Sequence, residues 1–126
     1  MVCLETDFLI ALFRNDSAAL SVASKLREEE DLQITIFSVC ELLVGLHNLP
    51  EQKKKFDALI ENSEILYPSI RSAEIYAGIR NYLSSKGKEI PVFDLLIASV
   101  CLSASSILLT RDGHFSRIRE LKTRRW

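Results

Sequence analysis

No two cysteines in this chain stand in a CxxC arrangement. Cys3, Cys40 and Cys101 lie far apart, each within an apolar segment, which argues against a thiolate zinc site. Their odd number excludes a complete intrachain disulfide set, and they read as small core residues in a reducing compartment. No apolar run approaches the roughly 20 residues of a membrane span. The N-terminus lacks a basic stretch followed by a long apolar one, so a signal peptide is not expected. The expected compartment is the cytoplasm, with no membrane partner. The net charge is only −1, so no global excess of positive charge points to nucleic acid. Repeats, linkers and low-complexity stretches are absent. So are a Gly-x-Ser-x-Gly elbow and a P-loop lysine motif, which leaves no obvious covalent nucleophile.

What is present fits one soluble domain spanning 1–126. The apolar fraction is 48% and the charged fraction 26%, both ordinary for a globular protein that buries a core. Charge is unevenly spread. Arg111, Arg117, Arg119, Lys122, Arg124 and Arg125 crowd the C-terminal end against Asp112 and Glu120. That end reads either as a solvated face or as a surface that meets phosphates.

Strand and helix signals alternate. Val2 to Leu4 reads as a buried strand. Thr6 is a candidate N-cap for a helix from Asp7 to Arg14, and Asn15-Asp16-Ser17 breaks it before a second helix from Ala18 to Glu30. Leu32 to Ile36 is β-branched and predicts a strand. Ser38 then caps a helix from Val39 to His47, ended by Asn48-Leu49-Pro50. A helix is expected from Glu51 to Asn62 and a short strand from Glu64 to Tyr67. A long helix runs from Ser69 to about Lys86, with Gly87 as its C-terminal cap. Val92 to Ser103 predicts an apolar helix and Ile107 to Thr110 a buried strand. His114 to Arg119 reads as a short helix and Leu121 to Thr123 as a last strand. This order predicts a three-layer α/β/α sandwich around a mostly parallel sheet.

Carboxylates then stand out. Glu5 and Asp7 follow the first strand, Glu41 interrupts Phe37 to Val44, Asp94 precedes Leu95-Leu96-Ile97-Ala98, and Asp112 follows the strand ending near Thr110. A carboxylate beside a core segment costs free energy unless something pairs with it. Singly, each has a plain structural reading. Asp7 and Asp94 suit helix starts, Asp112 suits a turn before Gly113, and Glu41 could face outward. Together, beyond the carboxyl ends of parallel strands where such sheets bind ligands, they suit a hard divalent cation, Mg²⁺ or Mn²⁺. A cation would reverse the local charge for an anionic phosphodiester, polarise its phosphoryl oxygens and activate water. His47 reads as a residue of a helix C-terminus, His114 as a turn residue near the proposed site, and Trp126 as an apolar anchor.

With these residues in view, the chain resembles the PIN-domain family, and within it the VapC-type toxin ribonucleases. Leu4-Glu5-Thr6-Asp7-Phe8-Leu9-Ile10 is similar to the family's opening apolar-Asp-Thr-Asn motif. Ser38 to Leu46 is similar to the segment bearing its glutamate. Gly87 to Ala98 is similar to Gly-x-x-Ile-Pro-x-x-Asp-x-x-Ile-Ala, and Leu109 to Phe115 to its Thr-Arg-Asp segment. The resemblance implies cleavage of RNA, Mg²⁺ or Mn²⁺, homodimers and inhibition by a small antitoxin protein. Carried over by motif, the catalytic residues and metal ligands are Glu5, Glu41, Asp94 and Asp112; Asp7, at the place of the family's Asn, either takes over from Glu5 as metal ligand or shares the metal with it. Thr110 shapes the pocket, and Arg111 and Arg117 guide RNA. Three positions depart from the pattern: Glu5 stands for Asp, Asp7 for Asn, and His114 stands where many relatives carry Asp.

Two rivals remain open from the residues. One is a PIN-like module that binds RNA or protein without catalysis, favoured by Glu5. The other is a receiver-like or dehalogenase-like phosphoryl acceptor, disfavoured because its strand-end Asp is Glu5 here.

Overall fold

The computed structural model describes residues 1–47 and 49–126. Among them the chain forms five strands and six α-helices in near-strict alternation. β1 (Val2–Leu4) leads into α1 (Thr6–Phe13) and α2 (Ser17–Glu29). β2 (Leu32–Thr35) passes directly into α3 (Ile36–Gly45). A 3₁₀ turn (Pro50–Gln52) precedes α4 (Lys53–Glu61), followed by β3 (Glu64–Leu66) and α5 (Ile70–Ser85). α6 (Val92–Ser103), β4 (Ile107–Leu109), a second 3₁₀ turn (Gly113–Arg117) and β5 (Thr123–Arg124) complete the order.

The sheet runs β3-β2-β1-β4-β5, and every pairing is parallel. Parallel neighbours need helical crossovers, which cover both faces and bury the strands. Strand side chains therefore alternate between two apolar layers. Cys3, Leu66 and Leu108 pack with α5, α6 and Phe115 on one face. Val2, Leu4, Ile34 and Leu109 pack with residues of α1, α2 and α3 on the other. Phe8 and Leu9 of α1 are fully buried there, each such side chain contributing roughly 1.5–3 kcal/mol by leaving water. No helix among the described residues is long and apolar enough to cross a membrane.

The expected α/β/α sandwich is present, with differences at element ends. Thr6 is not the cap of α1. Glu5 occupies that position with extended backbone and no side-chain cap bond, and the Thr6 hydroxyl turns to α3 instead. Ser38 is likewise inside α3. Thr35 is the cap, its hydroxyl accepting from the Ser38 N–H at 3.2 Å, so the helix starts at Ile36 and ends at Gly45. Of the break expected at Asn48-Leu49-Pro50, Asn48 lies outside the described residues. The helix expected from Glu51 divides because Pro50 opens a 3₁₀ turn before α4. The segment after Asp112 is 3₁₀, and β5 lies two residues later than expected. Cys40 is exposed, a correction to its reading as a core thiol, because its position on α3 faces away from the sheet; Cys3 and Cys101 are buried as expected. Ser69 caps α5 through a reciprocal capping box with Ser72, and Gly87 follows that helix at φ +63°, a left-handed conformation suited to glycine.

Candidate active site

Strand order reverses direction from β1: β2 lies on one side of it and β4 on the other. A crevice outside the carboxyl ends of two such strands is where open parallel sheets bind ligands. Leu4 pairs with Leu109, so the next residues on each strand, Glu5 and Thr110, emerge side by side. The Glu5 N–H donates to the Leu109 carbonyl at 3.3 Å, and the Thr110 hydroxyl donates to Glu5 Oε2 at 3.4 Å. Thr110 also receives the Asp112 N–H at 3.0 Å, which fixes the turn that carries Asp112.

Glu5 is 3% exposed. Burial pushes its carboxyl up to about 8, helped by the negative charge of Asp7 and then of Asp94 and Asp112, while the Asp7 backbone N–H pulls the other way. Asp94, in the first turn of α6, is also raised: burial comes first, then Asp112, with a smaller push from Glu41 and an opposing pull from His114. Asp7, Asp94 and Asp112 thus lie near enough to act on Glu5 through their charge, and Asp112 and Glu41 near enough to act on Asp94. Glu41, on α3, is held by the Thr6 hydroxyl, which donates to its Oε1 at 2.8 Å and lies 3.0 Å from Ser38 Oγ. Thr35 and Ser38 continue that polar chain at 3.4 Å. Asp7 is exposed in the first turn of α1, close enough to act on Glu5 through its charge.

The Arg111 guanidinium carbon sits 3.7 Å from the centre of the Trp126 ring, and its Nε donates to the Trp126 carbonyl. The Trp126 ring meets Phe8 edge to face at 5.1 Å, so the expected apolar anchor is present. Arg117 donates to the Glu89 carbonyl at 2.9 Å, tying the second 3₁₀ turn to the segment before α6.

Two participants were not expected from sequence. Thr6 and Ser38 support Glu41. Ser38 lies three residues before Glu41, a spacing that puts both on one helix face. His114, expected near the site as a turn residue, stands with Asp94 and Asp112: one ligand atom from each of the three falls within 4.8 Å of the others. Its position two residues beyond Asp112 in the same turn was the available signal.

A family model described as the PIN domain matches residues 2–121. The chain belongs to the PIN-domain family. No curated protein matches it. Solved structures agree with the family. A chain of the VapBC2 complex from Rickettsia felis, bound to a promoter DNA fragment, is 25% identical with a TM-score of 0.88, covering 100% of this chain and 99% of that one. VapBC-1 from nontypeable Haemophilus influenzae gives 26% identity and a TM-score of 0.88, covering 100% and 98%. DNA-bound VapBC from Salmonella typhimurium, at 21% identity and a TM-score of 0.87 over 99% and 97%, shares the fold. Along its whole length this PIN domain is thus similar to chains of solved VapBC complexes.

The donor set fits a hard divalent cation. Carboxylate oxygens dominate it, the ligand atoms of Asp94, Asp112 and His114 lie within reach of one ion, and buried Glu5 has no cationic side chain against it among the described ion pairs.

Proposed function

We propose that this PIN domain is a metal-dependent endoribonuclease that hydrolyses RNA phosphodiester bonds, the toxin of a toxin–antitoxin pair. The observation that carries the reading is the gathering of Glu5, Glu41, Asp94 and Asp112 beyond β1 and β4, with Glu5 and Asp94 both raised by burial and by one another's neighbours. Such a cluster is unfavourable without a counter-charge, and its substrate would be anionic as well.

Glu5, Glu41, Asp94 and Asp112, with Asp7 at the rim, would hold Mg²⁺ or Mn²⁺. When bound, the cation supplies Lewis-acid chemistry and charge neutralisation for phosphodiester hydrolysis. The chain's own residues do the rest. Thr110 orients Glu5 and fixes the Asp112 turn. Thr6 orients Glu41. The apolar layers beneath, with Leu4, Phe8 and Leu109 buried, close the floor to water. Arg111, next to Asp112 in sequence, and Arg117, in the 3₁₀ turn that follows it, would steer the RNA backbone. A small antitoxin partner, supported by the likeness to VapBC complexes, belongs to the same proposal, as do a homodimer and a cytoplasmic setting.

Cleavage of a labelled structured RNA with Mg²⁺, Mn²⁺ or EDTA, beside Asp94→Asn with its fold checked by circular dichroism, tests the reading. Cutting that EDTA and the variant both abolish is the expected result. Folded protein that cuts with neither metal would overturn it. If that protein still bound RNA, a binding module would replace it, with the longer Glu5 in place of Asp as the cause.

A further inference from the structure

His114 is one of two histidines in the chain, and the other, His47, is exposed beyond the end of α3. The two ring nitrogens of His114 sit in different surroundings. Its side chain is 43% exposed overall, yet Nδ1 is buried and has no hydrogen-bond partner among the described residues. That nitrogen lies 3.1 Å from Asp112 Oδ1 and 3.6 Å from Asp94 Oδ2, ion-pair distances if the ring is protonated, and forms a hydrogen bond with neither. Asp112 Oδ1 already accepts the His114 backbone N–H at 2.8 Å, so the turn itself fixes the ring's approach. A buried nitrogen left unsatisfied between two carboxylates is costly.

We propose that His114 Nδ1 coordinates the same cation as Asp94 and Asp112, and that this nitrogen makes the site prefer Mn²⁺ over Mg²⁺. The inference rests on the metal-site reading given above. Ligand atoms at adjacent corners of an octahedron with bonds near 2.1 Å lie about 3 Å apart, close to the Nδ1 to Asp112 separation. Mg²⁺ strongly prefers oxygen donors and gives up its water reluctantly. Replacing one carboxylate by a neutral imidazole in the donor set removes a negative charge that Mg²⁺ exploits and adds a donor that transition ions bind more strongly. The rival explanation is an imidazolium that merely neutralises Asp94 and Asp112.

The two separate in the full-length protein loaded with Mn²⁺ alone. Pulsed electron paramagnetic resonance reads a directly bound imidazole as nitrogen-14 modulation. Calorimetry with Mn²⁺ and with Mg²⁺ then gives the preference for wild type, His114→Ala and His114→Asp. The modulation should be present in wild type and absent from His114→Ala. The Mn²⁺-to-Mg²⁺ affinity ratio should fall about tenfold in His114→Asp, with circular dichroism confirming folded protein. Mn²⁺ that binds wild type without nitrogen modulation, at a ratio the variants do not change, overturns the inference and leaves the metal site standing. Wild type that binds neither ion overturns both.

Discussion

Thr6 donates a 2.8 Å hydrogen bond to Glu41 across the interface of α1 and α3. One residue of the first motif thereby sets the orientation of the acid in the second. Groups that orient metal ligands influence affinity through them. Thr6→Val keeps the shape and removes the hydroxyl. It should weaken Mn²⁺ binding roughly tenfold and lower stability by about 1–2 kcal/mol, while Thr6→Ser restores both. Isothermal calorimetry and urea unfolding measure the two effects. Wild-type Mn²⁺ affinity in a folded Thr6→Val would show that Glu41 needs no such support.

Glu5 makes stability depend on pH in cation-free protein. Its folded carboxyl holds a proton up to about 8, against an ordinary value of 4.5. The unfolded chain therefore loses that proton first as pH rises. Stability should be highest below about 4.5 for this group's part and fall until about 8, above which the whole cost is present. The upper bound is about 5 kcal/mol, and Asp94 contributes in the same direction. Thermal unfolding in EDTA should show the fall, Glu5→Gln should flatten it, and Mn²⁺ should raise the melting temperature more at pH 8 than at pH 6. A flat profile in wild type would mean that Glu5 is solvated or already compensated.

Gly87 sets the path from α5 to the segment that delivers Asp94. At φ +63° it adopts a conformation that costs a Cβ-bearing residue about 1 kcal/mol. Gly87→Ala should lose that much stability, read by denaturant midpoint, and Gly87→Asn less. Equal stability of all three would mean that the turn rearranges freely.

The fold and the acids of the candidate site were legible because their signals are local. Apolar runs bounded by breaks mark the strands, and Glu5, Glu41, Asp94 and Asp112 each follow, interrupt or precede one. What sequence left hidden depends on contacts between distant segments. Thr6 looks like a helix cap, and only the packing of α1 on α3 shows its hydroxyl committed to Glu41. His114 reads as a turn residue until α6 brings Asp94 beside it. Cys40 sits among apolar neighbours in sequence, but helical geometry places it on the outer side. Element ends slipped where a capping hydroxyl had more than one candidate, as with Thr35 and Ser38.

The C-terminal residue is bound into the structure by a pair that should be energetically coupled. Trp126 lies between Phe8, at 5.1 Å, and the Arg111 guanidinium, at 3.7 Å. Arg111 directly precedes Asp112, so loosening this stack frees one end of the turn that carries a site acid. Trp126 is only half-buried, so Trp126→Ala should cost less than a core aromatic, roughly 2 kcal/mol. Trp126→Phe should retain part of that through Phe8. Arg111→Ala should cost less still. A double-mutant cycle should return a coupling of about 0.5–1 kcal/mol, the size of a partly exposed cation–π contact. Strictly additive losses in urea would mean that Arg111 and Trp126 act separately, and that the tail anchors through Phe8 alone.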